Sequence, residues 1–274
     1  MITEIKNSDA SISLYSDSFN KRIRIDDYAG NTQAVLALIT ESTPGWAEKL
    51  IIKSREADIL FFQSNGFTQE AFIQGYFNGV DMFFLTRYFS EARGFSPAQA
   101  EAQQIVEKIV SEERLVTDHD LKIVSLATRE DADELSRLFA SIFKVYPTPL
   151  DDSNHIRKTM EEGTIYVVIR EDNKIVSVAS AEINQMFNNA ELTDCATLPE
   201  AQGKGYMKKL LLKLEEVLRA REINCLYTIA RSQSYSMNKA FYQLGYVFGG
   251  SMINNCYIYS GLEDMNVWYK PARS

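Results

Sequence analysis

Histidine is nearly absent from this chain, with two residues in 274, and cysteine is scarce, with three. His119 and His155 do not cluster, and Cys195, Cys225 and Cys256 form no C-x-x-C pair. A structural zinc site needs several convergent nitrogen or sulfur ligands, so no metal is expected. An odd count of widely spaced cysteines also argues against a disulfide framework. Positive charge is short: 29 Lys and Arg stand against 37 Asp and Glu, a net charge of -8. That balance argues against general nucleic-acid binding, which needs a basic footprint. It is compatible with a cationic small-molecule substrate. No apolar run approaches the roughly 20 residues that cross a bilayer. The first residues, MITEIKNSDASISLYSDS, lack the charged-then-apolar order of a secretory leader. The expectation is a cytoplasmic protein with no membrane or nucleic-acid partner.

What is present suits a packed globular chain, since 45% of the residues are hydrophobic. Residues 96–113 predict a helix that links two parts, with Ser96 as N-cap, Pro97 in the first turn and Gln99 completing a capping box. The polar stretch 117–120 marks the boundary, giving parts of residues 1–118 and 119–274. In the second part, apolar periodicity and turn residues predict the order β-α-α-β-β-β-α-β-α-β-β. Thr128 is the expected N-cap of its first helix. In the first part, Asn78-Gly79 predicts a two-residue hairpin turn between EAFIQGYF and VDMFFLTRYF.

The segment LPEAQGKGYMKKLLLKLEEVL (198–218) is a glycine-containing loop that runs into an amphipathic helix. The helix is expected from about Lys204, with Met207, Leu210, Leu211, Leu214, Val217 and Leu218 on one stripe and Glu215 off it. Unpaired N–H groups at a helix start carry the positive end of the dipole, and Gly203 and Gly205 let a ligand approach the backbone. The loop is thus an anion cradle by composition, although an ordinary tight turn explains G-x-G equally well. It is not a Walker A loop, because Tyr206 stands where Ser or Thr is required. It is not a dinucleotide fingerprint, because Lys208 replaces the third glycine.

PEAQGKGYMKKLL resembles the pyrophosphate loop of the GNAT acetyltransferases, and NKAFYQLGY (238–246) resembles that superfamily's helix-to-strand signature, with the tyrosine one residue closer to the glycine. The tail 245–270, with Asn254, Asn255, Glu263, Asp264, Met265, Asn266, Trp268, Tyr269 and Lys270, is similar to that of the β-lysine N-acetyltransferase family. Residues 65–84 resemble that family's N-terminal region, so the likeness spans nearly the whole chain. The resemblance implies an α+β GNAT fold, with a mixed and mostly antiparallel sheet flanked by helices. It implies acetyl-CoA as cosubstrate and β-lysine as acceptor. The β-lysine would come from a lysine 2,3-aminomutase, and the product would serve as a compatible solute. FQSNGF (62–67) is similar to FYQLGY (241–246), so residues 1–95 read either as a reduced copy of the GNAT C-terminal half or as an unrelated cap.

Acetyl transfer to an amine needs a held cofactor, a base, an oxyanion donor and a leaving thiolate. The expected cofactor contacts are Gln202, Gly203, Lys204, Gly205, Tyr206 and Asn238, with backbone N–H donors at Ala196, Thr197 and Leu198. Glu191 is the first candidate base, the alternative being a solvated strand-edge glutamate. Asp194, turned to the other face by strand alternation, is a second base or an ammonium anchor. Tyr242 is the candidate acid, or else a packed aromatic. Glu263 and Asp264 are candidate ammonium contacts and Asn254 and Asn255 candidate carboxylate contacts, with 252–265 closing as a lid. Cys195 reads as a small strand residue. The alternatives in function are another small amine as acceptor, or a non-catalytic acyl-CoA-binding protein.

Overall fold

The computed structural model describes residues 2–114, 120–146, 148–258 and 261–271. The first half opens with antiparallel β1 (Ile2–Lys6), β2 (Ala10–Asp17) and β3 (Arg22–Gly30). Helix α1 (Thr32–Ser42) crosses to β4 (Lys49–Ser54), which runs parallel to β3. Helix α2 (Ile59–Ser64) leads into the hairpin β5 (Thr68–Phe77) and β6 (Val80–Tyr88). Its turn is the predicted one, because Asn78 (φ 51°) and Gly79 (φ 97°) both take the positive φ that this turn demands. Short α3 (Glu91–Gly94) and the linker helix α4 (Gln99–Ser111) follow. The linker starts later than expected: Ser96 does not cap it, but accepts the Gln99 N–H at its carbonyl in a preceding turn. The boundary at 117–120 falls largely outside the described residues, as does His119.

The second half has the predicted order. It comprises β7 (Val124–Leu126), α5 (Ala132–Ile142), α6 (Ser153–Glu161), β8 (Ile165–Glu171), β9 (Lys174–Asn184) and β10 (Asn189–Thr197). Then come α7 (Tyr206–Ala220), β11 (Cys225–Arg231), α8 (Tyr235–Gln243), β12 (Val247–Ile258) and β13 (Gly261–Tyr269). Thr128 does start its helical segment: its N–H donates to Asp131 across a 3-10 turn before α5. Helix α7 buries Leu210, Leu211, Leu214 and Leu218, as its stripe requires. Glu215 departs from expectation, being buried and paired with Lys270 at 3.0 Å.

The thirteen strands among the described residues join one sheet, in the order β1-β2-β3-β4-β6-β5-β12-β13-β11-β10-β9-β8-β7. The halves repeat one succession. An antiparallel pair (β2–β3, β9–β10) is followed by a helix crossing to a parallel strand (β4, β11). A second helix and a hairpin then follow, whose last strand lies beside that parallel strand. The halves meet where β5 pairs antiparallel with β12, at Ala71↔Gly250. Across this seam one apolar cluster holds Ile51, Ile73, Tyr76 and Phe84 from one side and Tyr227, Met252, Val267 and Tyr269 from the other. Each terminal hairpin also reaches over to the other half. Asn78 donates to the carbonyls of Phe187 and Met186 in the β9–β10 turn, and the Tyr257 N–H donates to Asn20 in the β2–β3 turn.

The segment 252–265 is therefore no lid. Its described residues, 252–258 and 261–265, lie in β12 and β13, with Met252, Asn255 and Asp264 buried in the seam. Close approach at the seam depends on Gly249 and Gly250, where an added Cβ would stand 2.3 Å from the Phe72 and Glu70 carbonyl oxygens. Gly250 also holds φ +130°, which L residues rarely adopt. Gly250→Ala should cost about 1–3 kcal/mol from backbone conformation alone, with the clash added. It should lower the urea midpoint, and an unchanged midpoint would contradict this account of the seam.

Candidate active site

β10 and β11 are parallel neighbours for only three residue pairs, Asn189↔Cys225, Ala190↔Leu226 and Glu191↔Tyr227. Beyond Glu191 they part, β10 staying with β9 and β11 with β13. The parting exposes backbone groups of 192–197 on the side that β11 has left. The Leu198 N–H donates to Val176, so it is spent on β9 and is not an oxyanion donor. By ladder alternation the Thr197 N–H points the other way, into the gap.

A bulge interrupts β10 between Thr193 and Ala196, and Asp194 takes φ +48° there. An extra residue shifts the alternation. Strict alternation placed Asp194 opposite Glu191. The bulge turns it instead onto the face of Ser180 and Glu182, where it accepts from Ser180 Oγ at 2.7 Å and from the Tyr146 hydroxyl at 3.2 Å. Glu191 sits directly across from Glu182 on that same face. Three carboxylates thus converge at the fork of the two strands. Burial pushes the Glu191 carboxyl up to about 7, with Glu182 adding repulsion. Burial, and then Glu182, pushes Asp194 to about 7 as well. Glu182 is also raised by burial, although the residue keeps exposed surface, so the recess between the two walls opens to solvent there. His155 Nε2 is buried without a partner among the described residues.

The opposite wall comes from the first half. Tyr227, the strand partner of Glu191, lies 5.5 Å from the Tyr76 ring. The Tyr76 hydroxyl accepts from Lys53 at 2.8 Å, and Lys53 pairs with Asp26 at 2.7 Å. Asp26 is also bonded by Arg24 through Nε at 2.6 Å and Nη2 at 3.0 Å. Burial alone would raise the Asp26 carboxyl, but Lys53 and Arg24 hold it well below the usual carboxylate range. Arg24 and Lys53 both act on Glu191, so the two walls share one electrostatic environment. Glu182, Arg24, Lys53 and Tyr146 were not singled out from the sequence. One signal was legible: polar Arg22, Arg24 and Asp26 alternate with Ile23 and Ile25 in β3, a pattern of one polar and one apolar face.

Past β10 the chain makes a 3-10 turn at Pro199–Ala201 and enters the glycine loop. Helix α7 begins at Tyr206, two residues later than expected, because Gly203 (φ 78°) and Gly205 (φ 72°) hold left-handed conformations. An added Cβ at either glycine meets nothing within 4 Å, so the loop faces open space. No side chain caps α7, which leaves its first N–H groups free for an anion. These features fit a pyrophosphate. The equivalent helix of the first half differs, since the Asn31 side chain caps α1 by accepting from Gln33 and Ala34. Lys204 and the Tyr206 hydroxyl both bond Glu171, at 2.7 and 2.6 Å. Gln202 reaches back to the Thr197 carbonyl at 3.4 Å.

Several expected site residues serve the scaffold instead. Tyr242 donates its hydroxyl to the Val110 and Glu112 carbonyls, 3.0 Å each, and ties α8 to the linker. The cause is the shortened tyrosine-to-glycine interval. A helix turns about 100° per residue, so moving a side chain by one position re-aims it, and Phe241 takes the buried face. Asn238 is wholly buried and has no bonding capacity left for a cofactor. Its amide donates to Arg231 and Ser234 carbonyls and accepts from Asn266 and Trp268. Glu263 is held by Arg231 at 2.6 and 2.8 Å, which removes it as an ammonium contact. Asp264 accepts the Asn254 N–H, and the Asn254 side chain donates to the Arg93 and Phe95 carbonyls. Asn255 is buried beside them, with its carbonyl bonded by Arg22. A bulge in β12 at Asn254 (φ 45°) tucks this group into the seam. Cys195 is a free thiol pushed up by burial, unsuited to be a nucleophile.

The model of the acetyltransferase (GNAT) family matches residues 129–246. N-acetyltransferase YodP of Bacillus subtilis is 35% identical over 273 residues, covering 98% of this chain and 99% of that protein. The β-lysine N(6)-acetyltransferase of Methanococcus maripaludis is 36% identical over 211 residues, 76% of this chain and 77% of its own. That of Methanosarcina mazei is 33% identical over 226 residues, 74% and 83% respectively. Wedge, loop and these likenesses agree: the chain has the GNAT fold, belongs to the β-lysine N-acetyltransferase family of that superfamily, and is an acetyl-CoA-dependent N-acetyltransferase.

Proposed function

We propose that the protein moves an acetyl group from acetyl-CoA to the side-chain amine of β-lysine, with Glu191 as general base. The observation that carries this reading is the position of Glu191 at the fork of β10 and β11, with its carboxyl raised to about 7. Acetyl-CoA supplies the activated carbonyl. Backbone N–H groups of 202–206 hold its pyrophosphate, and Thr197 N–H is the donor for the thioester oxygen. Glu191 takes a proton from the acceptor's ammonium, whose ordinary pKa is near 10.4. Raising the base to about 7 narrows the gap between them from about 6 units to about 3. Asp194, held by Ser180 and Tyr146, anchors positive charge beside it. A thiol titrates near 8.5, so the thiolate departs without Tyr242. The names of two relatives support β-lysine. In this reading a lysine 2,3-aminomutase supplies it in the cytoplasm, and the product accumulates as a compatible solute. Another small amine is the second reading, favoured because the relative matching 98% of this chain carries no acceptor in its name. The first half, whose succession repeats the second, is in our reading a degenerate GNAT unit without a cofactor of its own.

Two outcomes are expected. Glu191→Gln should lower kcat by about 10²–10⁴-fold. Wild-type activity should rise with pH through about 7 as the carboxyl ionises. The variant should lack that limb and follow only the amine's titration. Steady-state kinetics across the neutral to alkaline range checks this, and a variant with wild-type kcat at the acid end would rule Glu191 out as base.

Gly205→Val should weaken CoA binding, because a β-branched residue is strained at φ 72° and fills the open approach. Calorimetric titration of the wild type should give one CoA per chain, since Asn31 occupies the equivalent position in the first half. Unchanged affinity in the folded variant would refute the cradle, and a stoichiometry of two would refute the degenerate unit.

A further inference from the structure

We infer that Arg24, from the first half of the chain, binds the carboxylate of the acceptor amino acid, so that the acceptor site is complete only where the two halves meet. The inference rests on the acetyltransferase reading above and adds a specificity residue to it. Lys53 has one N–H left, because its ammonium bonds both Asp26 and the Tyr76 hydroxyl. Arg24 has more. Nε and Nη2 bond Asp26, while Nη1 has no partner among the described residues, and the side chain keeps 28% of its surface exposed. Its guanidinium rests 4.9 Å from the Tyr15 ring centroid, which fixes its plane. A planar fork with a free edge suits a carboxylate better than a lysine ammonium does.

Charge balance points the same way. Arg24 and Lys53 act on three carboxylates, Asp26, Glu182 and Glu191, and Asp194 shares the face of Glu182. Carboxylates outnumber cations here, and none of Glu182, Glu191 and Asp194 has an ion-pair partner within the chain among the described residues. A diamino acid brings two ammonium groups and one carboxylate. The ammonium groups suit Glu191, Asp194 and Glu182, and the carboxylate suits Arg24, whose whole Nη1 edge is without a partner among the described residues. A cavity of about 360 Å³ adjoins this recess through Tyr146, the partner of Asp194. It too is walled from both halves, by Phe19 on one side and Phe139, Phe143 and Leu150 on the other. Arg24 and the three carboxylates do not line it, so it neighbours the acceptor position rather than containing it.

The test compares two acceptors, β-lysine and its carboxamide, in wild type, Arg24→Met and Arg24→Lys. Wild type should prefer β-lysine. Arg24→Met should lower kcat/KM for β-lysine by about 10–100-fold, the worth of a charge-assisted hydrogen bond. The loss should fall mainly on KM, and the preference over the carboxamide should collapse. Arg24→Lys keeps a cation beside Asp26 and should lose less. If Arg24→Met does not fold, as judged by lost CoA binding, the Lys variant on the same pair decides. Equal losses on both acceptors, or an undiminished preference, overturn the role of Arg24 while leaving β-lysine as substrate. A wild-type enzyme that acetylates other amines but not β-lysine overturns the acceptor reading, and Arg24 as a carboxylate contact with it.

Discussion

The Glu70 carboxylate, almost wholly buried on β5, binds the two halves of the chain together. It accepts from Lys49 on β4 at 2.9 Å, from Thr86 on β6 at 2.5 Å, from the Tyr88 hydroxyl, and from the Ile253 N–H of β12 at 2.7 Å. Lys49, itself fully buried, then donates to the Ile253 carbonyl at 2.7 Å. Burial lowers the Lys49 ammonium to about 8, and the Glu70 charge opposes that fall. Breaking such a pair from one side typically costs about 3–5 kcal/mol, because the remaining charge is stranded. The Glu70–Lys49 clasp sets where β12 lies on β5. Together with the apolar cluster and the reciprocal hairpin hydrogen bonds, it sets the placement of β11, and so of Tyr227 and Glu191 opposite Tyr76 and Lys53.

The catalytic recess works against the stability that the seam provides. Glu191 and Asp194 have folded pKa values near 7, above the ordinary carboxylate range. A carboxyl with a raised pKa binds its proton more tightly in the folded protein than in the unfolded chain. Stability therefore falls as pH rises from about 4 through 7, and stays reduced above that. The recess holds unpaired negative charge in the range where an amine must be deprotonated. A bound ammonium group would relieve that cost, so acceptor binding and stability are coupled.

Much of this was legible in the chain. The order of the second half, the glycine loop and the Asn78-Gly79 turn follow from local periodicity and backbone chemistry, and they stand. What failed was long-range or depended on a single-residue shift. The bulge at Asp194 has no glycine to announce it, and it moves a carboxylate from one face of β10 to the other. Tyr242 lies one helical position from where its hydroxyl would face the buried side. The Asn254, Asn255 and Asp264 group looks like a ligand set because it is polar and clustered. Part of its polarity serves the bulge and the 93–95 backbone, while Asn255 Oδ1 and Asp264 Oδ2 are buried without a partner among the described residues. Arg24 and Glu191 are far apart in sequence, and no local pattern relates them.

The seam also bears on how the chain is made. During synthesis β5 is complete long before its neighbour β12, which lies near the C-terminal end of the sequence. Until β12 emerges from the ribosome, the nascent first half carries an open strand edge rich in aromatic and aliphatic side chains, including Phe72, Ile73, Tyr76 and Phe77. Open edges of that kind recruit other chains. The nascent protein depends on a shield, or on speed of elongation, to escape aggregation before its own last hairpin arrives.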